Sequence, residues 1–164
     1  MLRKGFTLIE IMIVVAIIAL LSAVAVPNIL RARLNANETA AIANLKTLFA
    51  SAQSFLAATG DEPTIFNDMS TATPPYIDGS WAGAAAASVV SKGGYDFQYS
   101  DGTAANGSFH FSATPTTYGT TGNRSFYVDE SGVMFTTDGT ADVAADPGHA
   151  ATSGSAPSAS WTAL

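Results

Sequence analysis

Between Phe6 and Val26 the chain reads FTLIEIMIVVAIIALLSAVAV, 21 residues of which only Thr7, Glu10 and Ser22 are not apolar. A helix of this length spans about 30 Å, the depth of a bilayer's hydrocarbon core, and it is apolar on every side. A helix of that kind needs an apolar surrounding, so the segment is a membrane-spanning candidate. Arg3 and Lys4 precede it, and Arg31 and Arg33 follow it. Basic residues on both flanks leave the charge rule ambiguous, although early ones ordinarily hold the N-terminus in the cytoplasm, which would export the rest of the chain.

The segment also explains the composition. The 164 residues are 48% hydrophobic and 12% charged, too apolar for a disordered chain, and much of the excess sits here. There is no cysteine, which excludes disulfides, CxxC redox chemistry and thiolate metal sites. Residues 6–60 carry three basic and two acidic side chains, net +1, whereas residues 61–164 carry two basic and eleven acidic ones, net −9. A surface of that sign repels nucleic acid, and no direct nucleic-acid binding is expected.

Glu10 is the anomaly in the segment. An acidic side chain at the centre of a membrane helix costs about 2.5–3.5 kcal/mol, and less near its end. No basic residue lies between Phe6 and Leu30. A partner inside the membrane must therefore come from another chain, or from an N-terminus newly made by cleavage after Gly5, whose amine on Phe6 would lie one helical turn from Glu10. The alternative is a carboxylate tolerated at the membrane interface.

The residues Lys4-Gly5-Phe6-Thr7-Leu8-Ile9-Glu10, running into an unbroken apolar stretch up to Pro27, resemble the cleavage and methylation signal of type IV prepilins and type II secretion pseudopilins. The resemblance implies a leader over 1–5, cut between Gly5 and Phe6 by a membrane prepilin peptidase, and N-methylation of Phe6. It further implies that Glu10 pairs with the N-terminal amine of a neighbouring subunit during filament assembly. Pro27 falls where such chains carry a helix-disrupting proline. The competing reading is an ordinary secretory signal peptide, with Arg3 and Lys4 at its start and Ala23-Val24-Ala25 as its cleavage site.

Residues 28–58 place Leu34, Ala41, Ile42, Leu45, Leu48, Phe49, Ala52, Phe55 and Leu56 at steps of three and four, the pattern of an amphipathic helix with one buried stripe. Thr59-Gly60-Asp61 ends it. Pro27 cannot donate to the Ala23 carbonyl and is expected to kink or loosen the helix. Beyond Asp61 the chain is rich in proline and glycine, and the run Ala84–Val90 reads as a short helix or packed coil. Tyr95–Ser100, Ser108–Ala113, Ser125–Asp129 and Val133–Thr137 alternate aromatic and polar residues, with a turn at Glu130-Ser131-Gly132, and predict three or four antiparallel strands. Residues 93–99 and 124–139 are similar to strand segments of bacterial pilin-like proteins. Residues 139–160 are Gly-, Ala-, Ser- and Asp-rich and read as a loose tail, whose end either anchors on the sheet through Trp161 or stays free.

The expected fold is α+β and pilin-like: a long N-terminal helix, apolar in its first half and amphipathic in its second, packed on a small antiparallel sheet. The domain plan is a leader over 1–5, a membrane and filament-core half-helix over 6–27, an amphipathic half-helix over 28–60, a globular domain over 61–138 and a C-terminal loop or tail over 139–164. No GxGxxG, P-loop, HExxH or GxSxG pattern occurs, so no enzyme is expected. His110, between Phe109 and Phe111, falls on the opposite strand face from those rings and is expected to be exposed or partly packed. His149 stands apart in the tail. The carboxylates Asp129, Asp138 and Asp142 are the candidate calcium ligands, calcium being what the pseudopilin resemblance implies; no other cofactor is expected.

The function expected from the resemblance is a structural subunit of a type IV pilus or type II secretion pseudopilus-like filament. Its partners would be copies of itself, prepilin peptidase, an inner-membrane assembly platform and, before assembly, the bacterial inner membrane. The alternative is a secreted or membrane-anchored monomeric binding module. The cysteine pair of Gram-negative type IVa pilins is absent, as is a clear Tyr-Pro motif after the long helix, so pilus and pseudopilus both stay open.

Overall fold

The computed structural model describes residues 5–64, 66–82, 89–100, 109–138 and 161–164. The chain divides into two units, Met1–Arg33 and Leu34–Leu164. One helix, α1, runs Leu8–Thr59 and contributes to both. Thr7 caps its start, and Gly60, with φ of 81°, stops it by donating its N–H to the Leu56 carbonyl at 2.8 Å. That left-handed conformation suits glycine at a helix end.

In the first unit every described residue from Gly5 to Arg33 is exposed. Pro27 lies within the continuous run of α1. It has no N–H for the Ala23 carbonyl. Next to it, the Asn28 side-chain amide donates to the Val24 carbonyl at 3.1 Å.

In the second unit the expected stripe is the buried face of α1: Ala41, Leu45, Leu48 and Ala52 are all within 2% of complete burial. They pack against a six-stranded sheet of β1 (Val89–Lys92), β2 (Tyr95–Ser100), β3 (His110–Pro115), β4 (Arg124–Asp129), β5 (Met134–Asp138) and β6 (Thr162–Ala163), in spatial order β1-β2-β3-β4-β5-β6 and antiparallel throughout. The alternation of side chains across a strand sends Tyr95, Phe97, Tyr99, Phe111, Phe126 and Val128 to the core under the helix. A short helix, α2 (Phe66–Thr71), and a single 3-10 turn at Gly79–Trp81 supply Phe66 and Trp81 to the same core. Phe66 lies 5.9 Å from the Trp81 ring, 6.1 Å from Tyr99 and 5.9 Å from Phe111.

The α+β class and the four expected strands are present, and the sheet has two more. Val89 and Val90, read as helix or coil, open β1 and pair with Gln98 and Phe97. The cause is the Gly93-Gly94 turn, where φ values of 61° and 81° give the two left-handed residues of a tight hairpin. The last strand is made by the C-terminus: Thr162 and Ala163 pair with Thr136 and Phe135, and Trp161 packs 6.0 Å from Tyr127. Ala84–Ser88 and 139–160 lie outside the described residues. His110 does face away from Phe109 and Phe111, but it is buried, its ring 5.3 Å from that of Tyr127. Tyr127 also lies 6.2 Å from Phe135, so the sheet carries a second aromatic cluster on the face away from α1.

Gly122, between β3 and β4, has no room for a side chain: a Cβ there would lie 2.0 Å from the Tyr95 hydroxyl oxygen. That hydroxyl is fixed by donating to the Arg124 carbonyl at 2.9 Å, and Tyr95 is wholly buried. Gly122→Ala should therefore lower stability by about 2 kcal/mol, read as a lower denaturation midpoint, because the ring must move to admit one methyl group.

Candidate functional site

Two carboxylates on α1 stand where the hydrophobic pattern calls for apolar side chains, and each is satisfied differently. Glu10 lies in the first turn. Its Oε2 accepts from the Thr7 backbone N–H at 2.9 Å and from the Thr7 hydroxyl at 2.8 Å, while Thr7 Oγ1 accepts from the Glu10 N–H at 3.3 Å. Thr7-Leu8-Ile9-Glu10 is thus a reciprocal capping box. A negative charge in this turn also meets the positive end of the helix dipole. Glu10 Oε2 is thus engaged locally within the single chain, and these three bonds do not use Oε1.

Gly5 and Phe6, the residues on either side of the expected cut, precede the helix and are exposed. A Cβ at Gly5 would meet nothing within 4 Å. The fold therefore does not require glycine there. Arg3 and Lys4 lie outside the described residues. From Leu8 onward α1 is long and apolar enough to cross a membrane.

Glu38, in the second unit, is the residue that sequence reasoning missed. It falls on the buried stripe between Leu34 and Ala41 and is 4% exposed. Its Oε1 accepts from the Asn123 N–H at 3.0 Å, and its Oε2 accepts from Arg124 Nε at 2.8 Å and pairs with Nη2 at 2.7 Å. The neighbouring Asn37 amide donates to the Thr121 carbonyl at 2.9 Å. Together these bonds clamp the β3–β4 connection to α1. The signal was available: an acid at the helical spacing of a core stripe needs a buried partner. Beside the clamp, burial raises the pKa of the Tyr95 phenol, and the Glu38 charge adds to the effect against the opposing Arg124.

Among the described residues no three acidic or histidine side chains gather to hold a metal, and of the expected calcium ligands only the Asp129 side chain is described. Asp129 Oδ1 instead shapes the β4–β5 turn by accepting from the Ser131 N–H at 3.0 Å and from its hydroxyl. Asp138 closes β5 opposite Arg124 in register, its side chain lying outside the described residues, as do Asp142 and His149.

A capped apolar helix and a helix-on-sheet unit define an α+β protein of pilin-like build. Comparison with known proteins agrees at the N-terminus: residues 1–26 match the family model of the prokaryotic N-terminal methylation motif. The chain is 46% identical over 55 residues to the type IV major pilin protein PilA of Myxococcus xanthus, covering 34% of this chain and 25% of that one. It is 62% identical over 42 residues to the type IV wide pilus major component PilA4 of Thermus thermophilus, covering 26% of this chain and 32% of that one. The match thus spans about a quarter to a third of those relatives' lengths. No solved structure matches. The chain carries a prokaryotic N-terminal methylation motif, and its N-terminal segment is homologous to type IV major pilins.

Two outcomes follow for the clamp. Glu38→Ala should cost about 2–3 kcal/mol, less than a fully buried pair because Arg124 reaches water, and Glu38→Gln, which keeps an acceptor for Asn123, should cost less; urea denaturation of both variants measures the difference. Tyr95 binds its proton more tightly folded than unfolded. Its contribution is therefore full below the ordinary phenol pKa of 10.0 and is lost as pH rises above it. Stability should fall more steeply above pH 10 in the native chain than in Tyr95→Phe, compared by denaturation across that range.

Proposed function

We propose that this chain is a structural subunit of a type IV pilus-like or type II secretion pseudopilus-like filament. It is cut between Gly5 and Phe6 by prepilin peptidase, N-methylated on Phe6, held in the inner membrane by its N-terminal helix and delivered to an assembly platform. The observation that carries this reading is the helix itself: from Leu8 to Leu30 it is exposed on every side, with Glu10 as its one ionisable residue. Lipid solvates such a surface in the membrane, and neighbouring helices replace lipid in a filament. The methylation motif and the pilin relatives support the same assignment.

On this reading Glu10 has two successive roles. In the single chain the Thr7 capping box satisfies it. Cleavage then makes an amine on Phe6, and in the filament the amine of an adjacent subunit becomes the charged partner that fixes axial register. Pro27 gives the helix a place without a main-chain bond, where packing can adjust its course.

The two roles separate experimentally, because a capping box accepts glutamine as readily as glutamate whereas an ion pair does not. Glu10→Gln should be cleaved normally, remain helical and fail to form filaments, as Glu10→Ala should. Filaments at native abundance from Glu10→Gln would reduce Glu10 to a helix cap and remove the register mechanism. Replacing Gly5 by a larger residue should leave full-length precursor on immunoblots, and cleavage at the native rate would contradict the peptidase assignment.

A further inference from the structure

The proposed membrane stage leaves Arg31 and Arg33 without a role. Both are exposed on α1. Neither has a carboxylate at helical spacing: the positions three and four away from Arg31 are Pro27, Asn28, Leu34 and Asn35, and those from Arg33 are Ile29, Leu30, Ala36 and Asn37. The next acid along the helix, Glu38, is buried and engaged by Arg124. Basic residues here also weaken the charge asymmetry that orients the segment, so their presence calls for an anion on that side.

Two geometric facts identify the anion. The first is axial. Ile11–Leu30 contains no ionisable residue, and Glu10 and Arg31 lie about 31 Å apart along the helix at a rise of ~1.5 Å per residue. That distance matches the hydrocarbon thickness of a bilayer, roughly 30 Å, so a helix with Glu10 at one boundary has Arg31 at the other. Asn28, inside this span, has tied its amide to the Val24 carbonyl.

The second fact is azimuthal. Residues two apart point about 200° from each other around a helix, so Arg31 and Arg33 stand on opposite sides of α1. Before assembly, a single protein partner would present a surface to one side. A layer of lipid headgroups surrounds the helix and offers phosphate to both. A guanidinium fork matches phosphate oxygens, and the long arginine stem lets the charge reach the headgroups while its methylenes stay in apolar surroundings.

We propose that Arg31 and Arg33 form a phospholipid-phosphate collar that sets the depth of α1 in the bilayer, with Glu10 at the opposite boundary. The collar rests on the membrane-anchored stage of the proposed function and is independent of what the filament does. It assigns the two arginines to the subunit before assembly, when lipid still surrounds the helix.

The absence of cysteine allows a single nitroxide label to be placed at Ala25→Cys or Asn35→Cys in the full chain, reconstituted in vesicles of phosphatidylethanolamine and phosphatidylglycerol. Collision accessibility to oxygen and to a water-soluble nickel complex gives label depth. The native sequence should place the label at 25 in hydrocarbon and that at 35 in water. Arg31→Gln with Arg33→Gln should let both labels move inward by about one helical turn, ~5 Å, and Lys at both positions should restore the native depth. Unchanged depths in the double Gln variant would overturn the collar while leaving the membrane anchor intact. A water-exposed label at 25 in the native sequence would overturn the anchor and the collar together. Native depth combined with loss of filaments in Arg31→Glu with Arg33→Glu would assign the pair to a second copy of the chain and overturn the collar.

Discussion

The side chains from Phe6 to Leu30 are exposed in the single chain, and most are large and apolar. Each such side chain gains roughly 1.5–3 kcal/mol on leaving water, so the helix as a whole seeks apolar cover by tens of kcal/mol. The described core of the second unit is filled by residues from Ala41 onward along α1 and by the sheet. Lipid or other helices of the same kind are the two surroundings that satisfy a helix apolar on every side, and a subunit that passes from one to the other needs both to be acceptable. The absence of a single buried stripe in the first part of α1 is thus as informative as its presence in the second.

The two carboxylates of α1 divide the problem between them. Glu38 is taken up inside the chain, where Asn123 and Arg124 saturate it and turn a costly buried charge into a clamp between helix and sheet. Among the described residues Glu10 is met by Thr7, in a bond pattern that glutamine would reproduce. A charge that the fold does not require is the natural place for an interaction made between chains. The same contrast holds for the arginines: Arg124 is engaged within the second unit, whereas Arg31 and Arg33 have no acid within helical reach.

Much of this was legible in the sequence because it rests on local spacing. The apolar run, the three-and-four stripe and the alternating strands are short-range patterns, and β2 appears at the residues where alternation put it. Four features were missed or misread for identifiable reasons. The first strand was hidden by an alanine-rich run that resembles helix, although the Gly93-Gly94 turn after it signalled a hairpin. The last strand is only two residues long and pairs across more than twenty intervening positions, so no local pattern specifies it. Glu38 entered only the net-charge count, although its place in the stripe marked it as buried. His110 was read from its own strand alone, and its burial comes from Tyr127 on the next one.

The central claim is that the apolar helix is kept in the mature protein, whose chain begins at Phe6. Mass spectrometry of the N-terminal peptide from protein purified out of its native membrane or filament tests it directly. The account predicts a chain beginning with N-methylated Phe6 and retaining the whole segment to Val26. A mature chain beginning at Val26, as an ordinary signal peptide cut after Ala25 would leave it, would contradict the account, because the helix on which the proposed assembly depends would be gone.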